Sequence, residues 1–328
     1  MLHPKVISQA FDPNVLRLIV FPTEQCNFRC IYCYEDFAVG RMRPPVINGL
    51  KEFLTRRVPS LSTLRLSWFG GEPTTAPDII ENIMSHAISI AGDDGAEIHG
   101  DMTTNAYRLN AGMLAMLCDL RITEFQVTLD GPEKFHNKTR SLANGRGTFS
   151  RIFDNLRGAK ATSLPFAMTL RIHLTPENAE LMPDFVDELR ETLLDDPRFM
   201  LFFKAVGHWG GPNDREFHVL GKSKEASLIE SLKLRTRGEV SQSNPQYEED
   251  VCYAARPNNF IVRADGRIEK CTVALNKPAN LVGRLNANGT LSIDNRTHQY
   301  WLEGWKDLNT QTLSCPFFVA SNLYQGSA

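Results

Sequence analysis

A chain of 328 residues has room for one large domain and a smaller appendage. With 42% hydrophobic and 23% charged residues and a formal net charge of −2, its composition is globular, and charge gives no case for nucleic acid or an anionic membrane as partner. No apolar run approaches the roughly 18–20 residues that span a bilayer, and the start Met1-Leu2-His3-Pro4-Lys5 lacks the layout of a signal peptide, so a cytoplasmic protein is expected.

In chain order, apolar and β-branched runs at 16–23, 64–70, 97–105, 124–130, 167–174 and 200–206 predict six strands. Amphipathic stretches at 79–91, 111–120, 149–161 and 176–192 predict helices between them. Several runs lack polar/apolar alternation, as strands do when helices cover both faces of a parallel sheet. Six strand–helix units make a parallel βα fold whose chemistry sits at the C-terminal strand ends. Cys26, Gly70-Gly71-Glu72, Thr104-Asn105 and Asp130-Gly131 all fall there. After Gly238 the character changes, and the polar stretch 239–249 reads as a linker, dividing the chain into 1–238 and 239–328. Two hairpins follow, 260–270 broken at Ala264-Asp265-Gly266 and 281–293 broken at Asn286-Ala287-Asn288-Gly289. A short helical stretch at 298–305 and the segment holding Cys315 close the chain.

Seven cysteines in a reducing compartment are not a disulfide framework. Three crowd one loop, three spread over the last quarter, and Cys118 stands alone in an apolar helix, where it reads as a buried small hydrophobe. Two trios suggest two inorganic sites. Cys26, Cys30 and Cys33 form CxxxCxxC just after the first strand. Three thiolates on one loop can hold three irons of a cubane and leave the fourth open to a small molecule, whereas ferredoxin clusters recruit a fourth cysteine. A structural zinc wants four ligands, and the nearest histidine, His3, lies beyond the strand.

These residues resemble the radical S-adenosylmethionine (SAM) superfamily, whose CxxxCxΦC motif has an aromatic residue where Tyr32 stands. The resemblance implies a partial (β/α)6 TIM-type barrel. It also implies a [4Fe–4S] cluster on Cys26, Cys30 and Cys33, and reductive cleavage of SAM to a 5′-deoxyadenosyl radical. Trp68-Phe69-Gly70-Gly71-Glu72-Pro73 is similar to the family's GGE segment, which meets the methionyl amino group of SAM. Thr103-Thr104-Asn105 stands where relatives carry T-N-G, with Ala106 in place of the glycine. Thr128-Leu129-Asp130-Gly131-Pro132, followed by His136 and Arg140, resembles a segment of peptide-modifying members. There the hydroxyl, here of Thr128, contacts the SAM ribose, and the arginine, here Arg140, contacts its carboxylate. His136 reads as a local hydrogen-bonding residue or a substrate ligand. Cys118 gains a sharper alternative, a thiol that donates hydrogen to a radical.

Cys252, Gly266 and Cys271 match C-x9–15-G-x4-C, the start of the SPASM/Twitch extension of this superfamily, and Cys315 completes a second trio. The alternative is two structural thiols in a small β unit. A full SPASM domain carries more cysteines, so at most one auxiliary [4Fe–4S] cluster is implied, in a small α+β extension. The sulfatase-maturing branch has an aspartate base after the equivalent of Cys271, where this chain has Thr272.

The resemblance implies oxidative modification or cross-linking of a peptide or protein side chain, as in maturases of ribosomally made peptides. Its alternatives are a Twitch-type alcohol or sugar dehydrogenase and a redox-neutral peptide epimerase. The implied partners are the peptide or protein substrate, a separate recognition protein, and an electron donor such as flavodoxin or ferredoxin. The segment His208-Trp209-Gly210-Gly211-Pro212 follows the sixth strand and reads either as a wall of the barrel mouth or as a rigid surface loop.

Overall fold

The computed structural model describes residues 2–236 and 251–326. The linker expected at 239–249, and with it the division at 238, lies outside the described residues. The strands are β1 (Val15–Val20), β2 (Phe28–Cys30), β3 (Thr63–Trp68), β4 (Glu97–Thr104), β5 (Ile122–Leu129), β6 (Arg140–Leu142), β7 (Ala167–Leu174), β8 (Phe199–Ala205), β9 (Asn259–Val262), β10 (Arg267–Glu269), β11 (Leu281–Leu285) and β12 (Leu291–Ile293). All six expected strands are present, as β1, β3, β4, β5, β7 and β8. No helix among the described residues is long and apolar enough to cross a membrane.

The described residues form two compact units. The first takes the chain up to Gln25, Ala38–Asp101 and the residues from Val251 onward. In its sheet β1 runs parallel to β3, from Val15 opposite Thr63 to Val20 opposite Trp68. On its other side β1 pairs in parallel with β9, from Arg17 opposite Asn259 to Val20 opposite Val262. β10, β11 and β12 then continue antiparallel. The C-terminal strands therefore extend the sheet that the N-terminal strand begins. Both expected hairpin turns are present, with Gly266 at φ +86° and Gly289 at φ +75° where a side chain is strained. The helix Pro77–Ala91 starts on a proline, which fits a first turn, and buries Ile79, Ile80, Ile83, Met84 and Ala87.

Arg263, 1% exposed, lies between two carboxylates of this unit. Its Nε donates to Glu24 Oε1 at 2.8 Å and its Nη1 to Glu269 Oε1 at 3.0 Å, and its Nη2 also pairs with Glu24. Burial alone lowers the arginine's pKa, but Glu24 and Glu269 hold it above its ordinary value. A buried charge is tolerated only with such partners. The bridge joins the end of β1 to the β9–β10 hairpin.

The second unit takes Cys26–Phe37 and Met102 to Thr236. β5, β7 and β8 are parallel neighbours in register from Glu124 opposite Ala167 and from Met168 opposite Phe199. The short β2 and β6 pair antiparallel, which sets Cys30 opposite Arg140. The helix Phe149–Lys160 buries Phe149, Ile152, Phe153, Leu156 and Ala159. Cys118 is the next-to-last residue of the helix Ala111–Asp119, and it is half-buried rather than buried. It lies next to the start of β5, whereas Asp130 follows the other end of that eight-residue strand, about 25 Å away at the usual rise per residue.

Candidate active site

Beyond β1 the chain leaves the sheet, and Glu72 N donates to Gln25 O at 3.0 Å. Gly70 (φ +81°) and Gly71 (φ +48°) make that approach possible. A Cβ on Gly70 falls 2.3 Å from the Phe21 ring, and one on Gly71 falls 2.2 Å from Gln25 O. Glu72 is buried, and its Oε1 accepts from Thr74 N at 3.0 Å and from Thr74 Oγ1 at 2.5 Å. In the first unit the GGE segment is thus fixed against the residues that lead into Cys26.

In the second unit Cys26, Cys30 and Cys33 are all half-buried on one loop. Cys33 N donates to Cys30 O at 3.1 Å, and Ile31 N donates to Thr139 O at 3.0 Å. Phe28 N donates to Cys26 Sγ at 3.3 Å. Asn105 Nδ2 donates to Asn27 Oδ1 at 2.9 Å and lies 3.9 Å from Cys26 Sγ. Ala106, where relatives carry glycine, has φ +57°. That conformation costs an L-residue roughly 1–2 kcal/mol, and the bonds Ala106 N to Thr104 Oγ1 (3.0 Å) and Asn155 Nδ2 to Ala106 O (2.8 Å) hold it there.

Beside the loop is a buried polar network. Tyr32 donates its hydroxyl to Asp130 at 2.7 and 2.8 Å, and Arg140 Nη1 donates to the same phenol oxygen at 2.7 Å. Thr139 Oγ1 donates to Asp130 Oδ2 at 2.6 Å, and His173 Nδ1 lies 3.4 Å from Asp130 Oδ1. His136 Nδ1 accepts from Asp130 N at 3.4 Å, which is a local bond. Thr128 is buried two residues earlier. Burial alone raises the Asp130 pKa, but the His173 contact and the Arg140 charge hold it well below the usual carboxylate range. Arg140 is buried, with its Nε lacking a hydrogen-bond partner among the described residues. An unmatched buried guanidinium N–H suits an anionic group such as a carboxylate.

The loop also fits a cluster. Burial pushes the Cys30 thiol up and the Cys33 thiol up to about 12, with Glu35 adding to the second. A bound cationic metal would favour the thiolate forms of the three half-buried thiols of this loop.

The C-terminal trio lies within the first unit. Cys252 is buried, Cys271 half-buried and Cys315 exposed. Burial, with the charges of Cys271 and Cys315 adding to it, pushes the Cys252 thiol up to about 12. Cys252 N donates to Leu313 O at 2.8 Å, tying it to the segment of Cys315. Asn280, fully buried, holds Cys271. Its Oδ1 accepts from Lys270 N (3.1 Å) and Cys271 N (2.8 Å), while its Nδ2 donates to Cys271 O (2.9 Å) and Glu269 Oε2 (3.0 Å). Tyr253 OH accepts from Thr272 N and pairs with Thr272 Oγ1, both at 2.8 Å. Among the described residues no group of three or more His, Cys, Asp or Glu is set around a single metal ion. A cubane needs wider spacing, since each thiolate meets a different iron.

Asn280 and His173 carry no sequence signal. The partners of Asn280 are mostly backbone groups, and His173 meets Asp130 only because β5 and β7 are neighbours. The chemistry of the second unit predicts its acid sensitivity. Burial lowers His136 from 6.5 to about 3 and His173 from 6.5 to about 4. Below pH 6.5 the unfolded chain therefore binds protons that the folded one refuses, and stability falls as pH drops towards about 4. Asp130, whose pKa is lowered, adds a loss of the same sign below its unfolded value of 3.8. In the metal-free protein the urea midpoint should fall across this window and fall less in His136→Asn. Identical pH profiles for the two proteins would show that His136 is not the buried neutral base.

Comparison with known proteins adds family and fold. The model of the radical SAM superfamily matches residues 20–189. A GTP 3′,8-cyclase of Haemophilus influenzae (strain PittEE) is 37% identical over 283 residues, covering 78% of this chain and 77% of the relative. The counterpart from strain PittGG is 29% identical over the same shares. That of Pectobacterium atrosepticum is 25% identical over 287 residues, 81% of this chain and 82% of its own. Among solved structures, anSMEcpe with bound AdoMet and Cp18Cys peptide superposes with a TM-score of 0.70 at 16% identity, covering 89% of this chain and 83% of its own. Streptococcus suis SuiB bound to S-adenosylmethionine gives 0.61 at 15% identity, with coverages of 94% and 70%. At those identities the likeness is one of fold: a central parallel sheet with added antiparallel strands from the C-terminal part.

Proposed function

The chain belongs to the radical SAM superfamily, and from that premise we propose that it is an oxidative peptide-modifying enzyme with its SAM cluster on Cys26, Cys30 and Cys33. Membership makes it a radical SAM enzyme that uses a [4Fe–4S] cluster and SAM. When bound, that cluster supplies the electron that releases the 5′-deoxyadenosyl radical from SAM. Asn105 orients the Cys26 end of the loop, and Arg140, fixed through Tyr32 and Asp130, offers its unmatched Nε to the SAM carboxylate. In its own unit Glu72 receives the SAM ammonium, on a turn that Gly70 and Gly71 let pass close to Phe21 and Gln25.

The observation that carries the oxidative reading is the second thiol trio. Cys252, Cys271 and Cys315 lie within one unit, and Asn280 and Tyr253 saturate the backbone around Cys271. Such rigidity suits an auxiliary cluster that takes up the electron left on substrate after hydrogen abstraction. The Thr128–Pro132 segment and the fold shared with anSMEcpe and SuiB, both solved with peptides, support a peptide or protein side chain as substrate. A second reading, a purine nucleotide, is favoured by the relatives named GTP 3′,8-cyclase. Anaerobic incubation of reconstituted protein with SAM and reductant separates the two, given either peptides encoded beside its gene or GTP. The expected result is 5′-deoxyadenosine with a peptide lighter by a pair of hydrogens. GTP-dependent 5′-deoxyadenosine with a rearranged nucleotide, and no change in any peptide, sinks the peptide reading.

A further inference from the structure

The loop after β8 has no role so far. It is braced from within: Gly210 N donates to Asp214 Oδ1 at 3.1 Å, Asp214 N to Gly211 O at 3.1 Å and Glu216 N to Asn213 O at 2.8 Å. His208 stacks on Phe217 with ring centroids 5.1 Å apart and holds its Nδ1 3.5 Å from the Asp214 carboxylate.

Two contacts join this braced loop to the cysteine loop of the same unit. Phe217 meets Tyr32 edge-on at 6.5 Å. Gly211 comes closer. A Cβ built on it falls 2.1 Å from Cys33 O and 2.9 Å from both Cys33 C and Tyr34 Cα. All three are backbone atoms, so nothing can rotate aside. Gly211 is not among the glycines with positive φ, so conformation does not demand glycine there; the approach to Cys33 does. Gly210 is the reverse case, with φ +87° and nothing within 4 Å of its Cβ position.

We propose that the segment 208–217 is a clamp on the cluster loop and that Gly211 is its positioning residue, fixing Cys33 by direct backbone contact. The proposal rests on Cys33 being a cluster ligand. A side chain at 211 pushes the Cys33 carbonyl, and with it the thiolate, off its iron. The loosened ligand then exchanges with chelator more readily, without any loss of a chemical group.

The test reads the reduced-cluster EPR signal that shifts when SAM is added, since only the SAM cluster responds, and follows its decay under an iron chelator. In the full reconstituted protein, Gly211→Ala should lose that signal about tenfold faster than wild type, the scale expected of strain from one extra buried methyl group. Gly221→Ala should decay as wild type does, because its Cβ position meets no other atom, and Gly210→Ala, strained by its φ of +87° yet clear of Cys33, should accelerate the decay less than Gly211→Ala does. Phe217→Leu, which adds no bulk, should show a smaller acceleration and serves if Gly211→Ala does not fold. Wild-type decay in Gly211→Ala overturns the clamp. So does equal acceleration in Gly210→Ala, which would mean generic loop strain, or an insoluble Gly211→Ala together with an unchanged Phe217→Leu. A wild type with no SAM-responsive signal removes the ligand assignment itself, a separate result from any of these.

Discussion

A chain with alanine at Cys26, Cys30 and Cys33 should form no 5′-deoxyadenosine from SAM while remaining folded. The three thiols are half-buried on a loop whose only regular element is the three-residue β2, so removing three sulfurs opens no core cavity. Of the bonds that shape the loop, Ile31 N to Thr139 O and Cys33 N to Cys30 O do not involve the thiols, and only the one from Phe28 N to Cys26 Sγ is lost. Melting temperature should therefore change little in the metal-free proteins, while turnover falls to background. Wild-type amounts of 5′-deoxyadenosine from this variant would end the assignment of the loop.

Replacing Cys252, Cys271 and Cys315 together should have an equally large effect on product and a different one on SAM. Wild type should reconstitute with about eight irons, four per cubane, and this variant with about four. With a strong reductant it should still cleave SAM, because the first trio and Arg140 belong to the other unit and Glu72 is held by Thr74 and Gln25, not by these cysteines. It should give no modified substrate, having lost the acceptor for the substrate's electron. Alanine suits the test at Cys252, which is 7% exposed, since serine there would bury a new hydroxyl. Four irons in the wild type, or full product from the variant, would each remove the auxiliary cluster from the oxidation.

β3, β4 and β8 showed through alternation of buried and half-buried residues, whereas β1, β5 and β7 were legible because burial on both faces leaves a plain apolar run, as in Leu18-Ile19-Val20. The same signal overran its element at the first strand, since Phe21, Pro22 and Thr23 are buried but no longer strand. Burial, not pairing, is what an apolar run reports. β2 and β6 were invisible, being three residues each and built around Cys30 and Arg140 instead of a hydrophobic pattern. The spacing that relates Arg140 to its motif said nothing of Tyr32 and Asp130, whose contacts with it bridge distant parts of the chain. Asn280 was illegible for the same reason. The hairpin at Gly266 was readable from its turn, but its place beside β1 was not, because a parallel neighbour far along the chain leaves no local trace.

That neighbour has a cost in time. β1 leaves the ribosome well before its partner β9, which begins at Asn259, so about 240 residues must be made before the edge from Arg17 to Val20 is covered. At about 5–20 residues per second this is roughly 12–48 seconds. Throughout, a nascent chain presents an open, apolar row of backbone donors and acceptors, the kind of edge that recruits a second strand from another molecule. The slower the last quarter follows the first, the longer that edge stays open to such pairing. The same pairing makes the C-terminal strands part of the structure that any fusion, split or shortened form of this protein must retain.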